Sequence, residues 1–197
     1  MDTVYQNAVV TIIALSGKTS DAGLADVRLG SRSCEETPFT IQGTPILASF
    51  DPATKISWSN YLGDSIWDRR AWTFQEKLIS SRILVFAAEQ VYWECQRGSW
   101  CEEGIWEISN KILHIYRHAF GSKLLLGSRD KQNYLRTYAS IVEDYTRREF
   151  SFQSDAIQAF SGIIHFMERT WDQKFFWGLP YSAFSAALQW CVSGDWL

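Results

Sequence analysis

Aromatic side chains set the strongest constraint on how this chain can fold. It has 10 Trp, 8 Tyr and 12 Phe among 197 residues. These rings bury large areas, and the polar atom of a buried Trp or Tyr needs a hydrogen-bond partner. A chain of this length buries roughly 70% of the surface that its unfolded form exposes. The sequence therefore predicts a globular protein with a largely aromatic core. The alternative role for these rings is an exposed surface that binds a partner.

Charge and cysteine content narrow the class of protein. The net charge of −3 offers no basic footprint for nucleic acid or an anionic membrane. The apolar run over residues 8–15 is too short to cross a bilayer. Four cysteines are too few for a secreted disulfide scaffold of this length, which favours a reducing compartment. We therefore expect a cytoplasmic protein that binds neither nucleic acid nor membrane.

Metal and cofactor motifs are weak in this sequence. Five residues separate Cys95 from Cys101, a wider gap than most structural zinc sites use. His114 and His118 are four apart, but no third ligand accompanies them. The sequence contains no phosphate-binding loop and no dinucleotide fingerprint. We expect no bound metal and no cofactor.

The first half of the chain has the patterns of strands and one helix. The β-branched run at residues 9–15 predicts a central strand that is buried on both faces. Residues 39–42 and 46–50 predict minor strands. Asp68 predicts the N-cap of a helix over residues 69–79 that ends at Ser80. Strands at 83–87 and 90–94 are predicted to follow as a hairpin or as two neighbouring strands.

Helical spacing dominates after Trp106. Apolar residues recur every three or four positions near 108–116, 134–145, 157–167 and 183–191. The two clearest stripes are Tyr134, Tyr138, Ile141, Val142 and Tyr145, and then Ile157, Phe160, Ile164 and Met167. The sequence therefore predicts a mixed α/β (α+β) fold, with one region at residues 1–106 and a mainly helical region at 107–197 packed on it.

Charged and aromatic residues are concentrated between positions 68 and 103. On the predicted helix, Trp72 and Glu76 lie four residues apart on one face, with Gln75 beside them. We predict that Glu76 pairs with Arg70 or Arg82 and holds the helix against the strands that follow. We also predict that Trp72 anchors the helix on those strands. A catalytic role for the Glu76 carboxylate is the alternative.

Several motifs in this segment resemble the fungal heterokaryon incompatibility (HET) domain family. The family pattern R-A-W-T-x-Q-E, then L-x-S-x-R, then a Y-W-E-C strand has counterparts here. The matching residues are Arg70, Trp72, Gln75, Glu76, Arg82, Tyr92, Trp93, Glu94 and Cys95. The opening VYQNAVVTIIALSG and the stretches at 141–162 and 175–180 also resemble such proteins. The family's amino-terminal motifs L-S-Y-x-W-G and L-W-I-D-x-x-C-I-x-Q have no counterpart, so we expect a partial HET domain over residues 1–106.

The resemblance implies a function in fungal non-self recognition and programmed cell death, exerted through a protein partner. It also implies a distant kinship with TIR domains, and with it an alternative function as a NAD-cleaving hydrolase. In that alternative, NAD is the ligand and Glu76 the candidate catalytic residue, stabilising positive charge on the ribose. A truncated remnant without activity is the third alternative.

Overall fold

The structure is a computed structural model that describes residues 2–19, 21–25, 27, 31, 39–46, 62, 65–88, 90–95, 98–102 and 134–189. The helices of these residues are α1 (Asp2–Asn7), α2 (Ile66–Arg69), α3 (Ala71–Ile79), α4 (Tyr134–Thr146), α5 (Ala156–Trp171) and α6 (Phe184–Ala187). The strands are β1 (Thr11–Ala14), β2 (Phe39–Ile41), β3 (Thr44–Ile46), β4 (Arg82–Phe86), β5 (Val91–Cys95), β6 (Gly98–Cys101), β7 (Phe175–Phe176) and β8 (Leu179–Pro180). The fold is mixed α/β, as the sequence predicts.

The main sheet has four strands in the order β1, β4, β5, β6. β1 runs parallel to β4, with Ile13 opposite Val85. β4 and β5 form an antiparallel pair, which confirms the hairpin prediction, and Val85 lies opposite Tyr92. Ile13, Val85 and Tyr92 are all buried on one face. That face is the core of the sheet.

The prediction of a central strand at residues 9–15 is wrong. β1 lies at the end of the strand order in the described sheet, and its burial alternates. Ile13 and Leu15 point into the core, whereas Val9 and Ile12 are exposed. A continuous β-branched run is typical of a strand covered on both sides, but it fits one face of an outer strand as well.

The remaining small strands form two short hairpins. β2 pairs with β3, which confirms the strand predicted at 39–42. Of the piece predicted at 46–50, residue 46 belongs to β3 and the rest lies outside the described residues. β7 pairs with β8 near the carboxyl end of the described chain.

A second core lies among the helices. α4 buries Tyr138, Ile141 and Tyr145, which confirms the predicted apolar stripe of this helix. On α5 the predicted stripe is partly wrong, because Ile157 is exposed and Ile163 is completely buried. The reason is that Ile157 lies in the first turn of α5, which begins at Ala156 and is preceded by a 3-10 turn at Gln153–Asp155. The helix predicted near 108–116 lies outside the described residues. Of the helix predicted at 183–191, α6 (Phe184–Ala187) is confirmed, and residues 190 and 191 lie outside the described residues.

Helix α3 belongs to the core among the helices. Seven of its nine residues are buried. Phe74, Leu78 and Ile79 belong to the helical core together with residues of α4 and α5. A helix that is buried nearly all round belongs to the interior of a domain. α3 therefore buries Ala71, Thr73, Phe74 and Gln75 of the motif, whereas Arg70 precedes the helix and is exposed.

No helix among the described residues is long and apolar enough to span a membrane.

Candidate functional site: the segment from Asp68 to Cys95

A break in the helix shapes the start of this segment. Arg70 adopts an extended conformation between α2 and α3 and forms a parallel β-bridge with Glu149. The Glu149 amide donates to the carbonyl of Arg69 at 2.6 Å, and the Ala71 amide donates to the carbonyl of Glu149 at 3.0 Å. Residues just after α4 thereby satisfy backbone groups that the break would leave without partners.

The prediction that Asp68 caps one continuous helix is wrong. Ser65 caps α2, since its hydroxyl accepts from the Asp68 amide at 3.2 Å. The Asp68 carboxylate is used for a different purpose, because two cations reach it from other elements.

Asp68, Lys77 and Arg148 form a charge cluster that joins helices α2 and α3 to the residues just after α4. Arg148 donates through Nη2 to Asp68 Oδ1 at 2.9 Å and through Nη1 to the Asp68 carbonyl. Lys77 Nζ lies 3.4 Å from the same Oδ1. The guanidinium carbon of Arg148 lies 4.4 Å from the centre of the Phe74 ring, a cation–π contact. The Arg148 side chain is only 3% exposed and that of Asp68 is 19% exposed, so this cluster is shielded from solvent.

Glu76 connects α3 to α1. The Tyr5 hydroxyl donates to Glu76 Oε1 at 2.8 Å. Burial, followed by the hydrogen bond and the charge of Glu76, raises the pKa of Tyr5 to about 12. Among the described residues neither Arg70 nor Arg82 pairs with Glu76, so the predicted ion pair is wrong. Arg82 donates from Nη1 to the carbonyl of Val9 at 3.4 Å. Tyr5 takes the place of the arginine because α1 packs on α3.

The end of α3 is fastened to the sheet. Ser80 donates to the carbonyl of Glu76 at 2.6 Å and shares a 2.7 Å hydrogen bond with the Thr11 hydroxyl of β1. Ser80 is the C-cap residue of α3, which confirms the predicted end of the helix. Glu76 thus connects α3 to α1 through its side chain, and its carbonyl bonds the Ser80 hydroxyl that contacts β1.

The Y-W-E-C motif forms strand β5, where burial alternates. Tyr92 and Glu94 are buried, whereas Trp93 and Cys95 are half-buried. Gln90 donates from Nε2 to the Tyr92 hydroxyl at 2.7 Å, which satisfies the polar atom of this buried ring. Trp93 lies opposite Trp100 of β6 on the other face. Tyr92 and Glu94 therefore lie on the buried face of the sheet, and Trp93 and Cys95 lie on its outer face.

The first part of this segment, as far as Glu76, lies in a region that a protein-family model matches. The model of the family described as "Heterokaryon incompatibility protein (HET)" matches residues 1–76. Residues 1–76 belong to the HET family. Among its described residues, this HET segment contains α1, β1, β2, β3, α2 and α3 as far as Glu76. No curated protein and no solved structure matches the chain.

The HET segment ends inside α3, and several of its side chains contact residues that lie after it in the sequence. Lys77 and Ser80 follow the matched residues, and Arg148 lies far beyond them. An extension of the HET domain to residue 106 stays a prediction, as does the kinship with TIR domains.

Trp72 has a different position from the one we predicted. Its ring is half-buried and packs on the helical core, beside residues of α4 and α5. Trp67 of α2 packs on the core of the sheet instead. The prediction that Trp72 anchors the helix on the strands is therefore wrong. Gln75, its neighbour on α3, is buried.

Cysteine and histidine residues do not assemble in the described structure. Cys95 and Cys101 are half-buried on adjacent strands, and neither is part of a disulfide among the described residues. The described residues contain no group of three or more Cys, His, Asp or Glu side chains that could hold a metal ion. His114 and His118 lie outside the described residues, so the expectation of a metal-free protein stays a prediction.

Sequence reasoning missed Tyr5, Thr11 and Arg148 as members of this site. For Arg148 a signal was present, because Ile141, Tyr145 and Arg148 are spaced by four and three residues on one helical face. An arginine in register with an apolar stripe indicates a buried charge that needs a partner. For Tyr5 and Thr11 the sequence offers no comparable pattern.

Proposed function

We propose that this protein is a HET-type signalling module that acts by protein–protein contact in fungal non-self recognition and programmed cell death. The observation that carries the proposal is the HET family match over residues 1–76. The chain is a heterokaryon incompatibility-type protein by that match, and the signalling role and the cytoplasmic location are our proposals from the family resemblance.

The contacts of Glu76 support an interaction module. Its carboxylate accepts the Tyr5 hydroxyl, and its carbonyl accepts the Ser80 hydroxyl that also bonds Thr11. A residue in these bonds positions α1, α3 and β1 relative to one another. We propose that Glu76 serves the shape of the module, and that this shape presents the surface that a protein partner recognises.

The charge cluster supports the same proposal. Asp68 of the HET segment is bonded to Arg148 beyond α4, and the Phe74 ring contacts the Arg148 guanidinium. A contact made on the helical region can therefore act on the HET segment through packed, hydrogen-bonded side chains. We propose that this connection is part of an element through which binding at one part of the module changes the other.

Induced expression in a filamentous fungus tests this proposal. Uptake of a vital dye after induction would measure cell death for the wild-type chain, for Glu76→Gln and for Arg147→Met as a surface control. We expect death in all three strains, since the Gln side chain can still accept the Tyr5 hydroxyl. Absence of death with the wild-type protein would contradict the signalling role.

The alternative enzymatic function has a different result in the same strains. If Glu76→Gln remained folded and abolished both cell death and a fall in cellular NAD, the function would be catalytic. Thermal unfolding of the purified variant distinguishes this outcome from simple loss of the fold.

A further inference from the structure

A row of apolar side chains crosses the four described strands on the outer face of the main sheet. Ile12 of β1 lies opposite Leu84 of β4, and Leu84 lies opposite Trp93 of β5. Trp93 in turn lies opposite Trp100 of β6. Side chains of opposite residues on neighbouring strands are close enough to contact one another. The row is therefore a continuous apolar strip that measures about 14 Å from β1 to β6.

A second apolar pair lies beside this row. Phe86 of β4 lies opposite Val91 of β5, and each is two residues from the row, so its side chain lies on the same face. Ile12 is 54% exposed and Trp100 41%, and the other four side chains are half-buried. In the part of the chain that the structure describes, none of the six belongs to either hydrophobic core. We call these six residues the apolar face: Ile12, Leu84, Phe86, Val91, Trp93 and Trp100.

The opposite face of the same sheet is already a core. Ile13, Val85 and Tyr92 are buried there. An antiparallel sheet with one solvated face alternates apolar residues toward the core with polar residues toward water. Strands that are apolar on both faces are typical of a sheet that is covered on both sides. We therefore expect an element that packs on the apolar face.

The chain leaves the sheet directly beside the apolar face. Glu102 follows β6, where its amide donates to the carbonyl of Val91 at 3.0 Å and its carboxylate accepts from the Val91 amide at 3.2 Å. Residues 103–133, which lie outside the described residues, begin at this point. They contain a stripe of Ile108, Ile112 and Ile115, at spacings of four and three residues. Six residues span at most about 20 Å, so Ile108 can reach every strand of the row.

The helix predicted over 108–116 has the length of the row. An α-helix of nine residues is about 14 Å long, which equals the distance across four strands. The spacing places Ile108, Ile112 and Ile115 on one side of such a helix, with Asn110 and Arg117 on the opposite side. A helix that lies across the strands can thus set its apolar side on the row and keep its polar side in water.

The connection to β6 favours this segment over a separate molecule. A segment joined by a short linker has an effective concentration on the order of 1 mM at the surface that it reaches. A second copy or a partner protein at a lower concentration would have to displace it.

We propose that the apolar face is the docking surface of residues 103–133 of the same chain, which bind it through Ile108, Ile112 and Ile115. This segment connects β6 to α4, so its docking holds the route from the sheet to the helical region against the sheet. The inference goes beyond the proposed function and is independent of it, because it concerns contacts within one chain.

Alkylation of the full chain with iodoacetamide, followed by peptide mapping, tests the proposal. Cys95 lies on the outer face, two residues from Trp93, whereas Cys101 packs on the core of the sheet. The docked segment should shield Cys95, because a thiol reacts only where the reagent can reach it. Ile112→Ser should therefore raise the alkylation rate of Cys95 about fivefold and leave the rate of Cys101 unchanged. Arg117→Ser, on the opposite side of the predicted helix, should change neither rate.

A variant of the apolar face tests the same contact from the side of the sheet. β4 separates Ile12 from the strand that holds Cys95, so Ile12→Ser should act on Cys95 through the segment that covers both. We expect the Cys95 rate to rise about threefold. Val4→Ser is the matched control, since Val4 is 66% exposed on α1 and lies outside the apolar face. It should change neither rate.

Three results would overturn the proposal. The first is a Cys95 rate that neither Ile112→Ser nor Ile12→Ser changes, which would leave the apolar face to a separate partner. The second is a wild-type Cys95 rate that rises on dilution from about 100 to about 1 μM, which would show that a second copy covers the face. The third is an equal rise at Cys101 in both variants, because the substitutions would then act on the whole fold.

Discussion

Replacing Asp68 with Asn tests whether the charge cluster holds the HET segment to the helical region. The substitution keeps the size of the side chain and removes its negative charge. Lys77 and Arg148 would then remain buried, with side chains 7% and 3% exposed. Among the described residues, a second carboxylate near Arg148 is that of Asp144, at 3.6 Å and 52% exposed. Such an exposed group compensates little for a buried cation.

The expected loss in the free energy of unfolding is about 3 kcal/mol. Removing one partner of a buried ion pair costs about 3–5 kcal/mol. Asp68 is 19% exposed, and Asn can still accept from Arg148, so the lower end of this range applies. Arg148→Met should cost about 2 kcal/mol, because Lys77 remains near Asp68 and Met can cover Phe74. The double variant should lose about 1.5–3 kcal/mol less than the sum of the single losses.

Denaturant unfolding followed by tryptophan fluorescence measures these free energies. Arg147→Met is the matched control, since Arg147 is the neighbouring arginine in an exposed pair with Glu143. It should change stability by less than about 0.5 kcal/mol. A loss below about 1 kcal/mol for Asp68→Asn, or strictly additive single variants, would refute our account of the cluster.

Three further predictions concern Glu76 and other residues of helix α3 or in contact with it. Tyr5→Phe should lower stability by about 1 kcal/mol. Burial raises the pKa values of Tyr5 and Tyr138 from 10 to about 12. The stabilisation that these two hydroxyls contribute is therefore complete below pH 10 and is lost as the pH rises from 10 to 12. Between these pH values, Tyr5→Phe should lose less stability than the wild type does. Phe74→Ala should cost about 3–5 kcal/mol and Trp72→Ala about 2 kcal/mol, because Phe74 is buried and Trp72 half-buried; equal losses in denaturant unfolding would contradict this order. The purified chain should release no nicotinamide from NAD, and turnover that Glu76→Gln abolishes would show that Glu76 is catalytic.

The sequence determined much of the local structure. The spacing of Tyr138, Ile141 and Tyr145 predicts the buried face of α4, and the structure confirms it. The paired apolar runs at 83–87 and 90–94 predict the β4–β5 hairpin. Such patterns depend on residues that are close together in the chain, so hydrophobic periodicity is enough to predict them. The motif residues that indicate the HET family are local in the same sense.

The contacts between distant elements were decided by the tertiary structure. Asp68 bonds Arg148 across 80 positions, and Tyr5 bonds Glu76 across 71. A pattern of residue types shows that a buried charge needs a partner, but several residues could supply it. Arg70 and Arg82 are near Glu76 in sequence, whereas the packing of α1 on α3 brings Tyr5 to it. The sequence thus determined which elements form, and the packing of those elements decided which side chains meet, because long-range pairing depends on the arrangement of the whole chain.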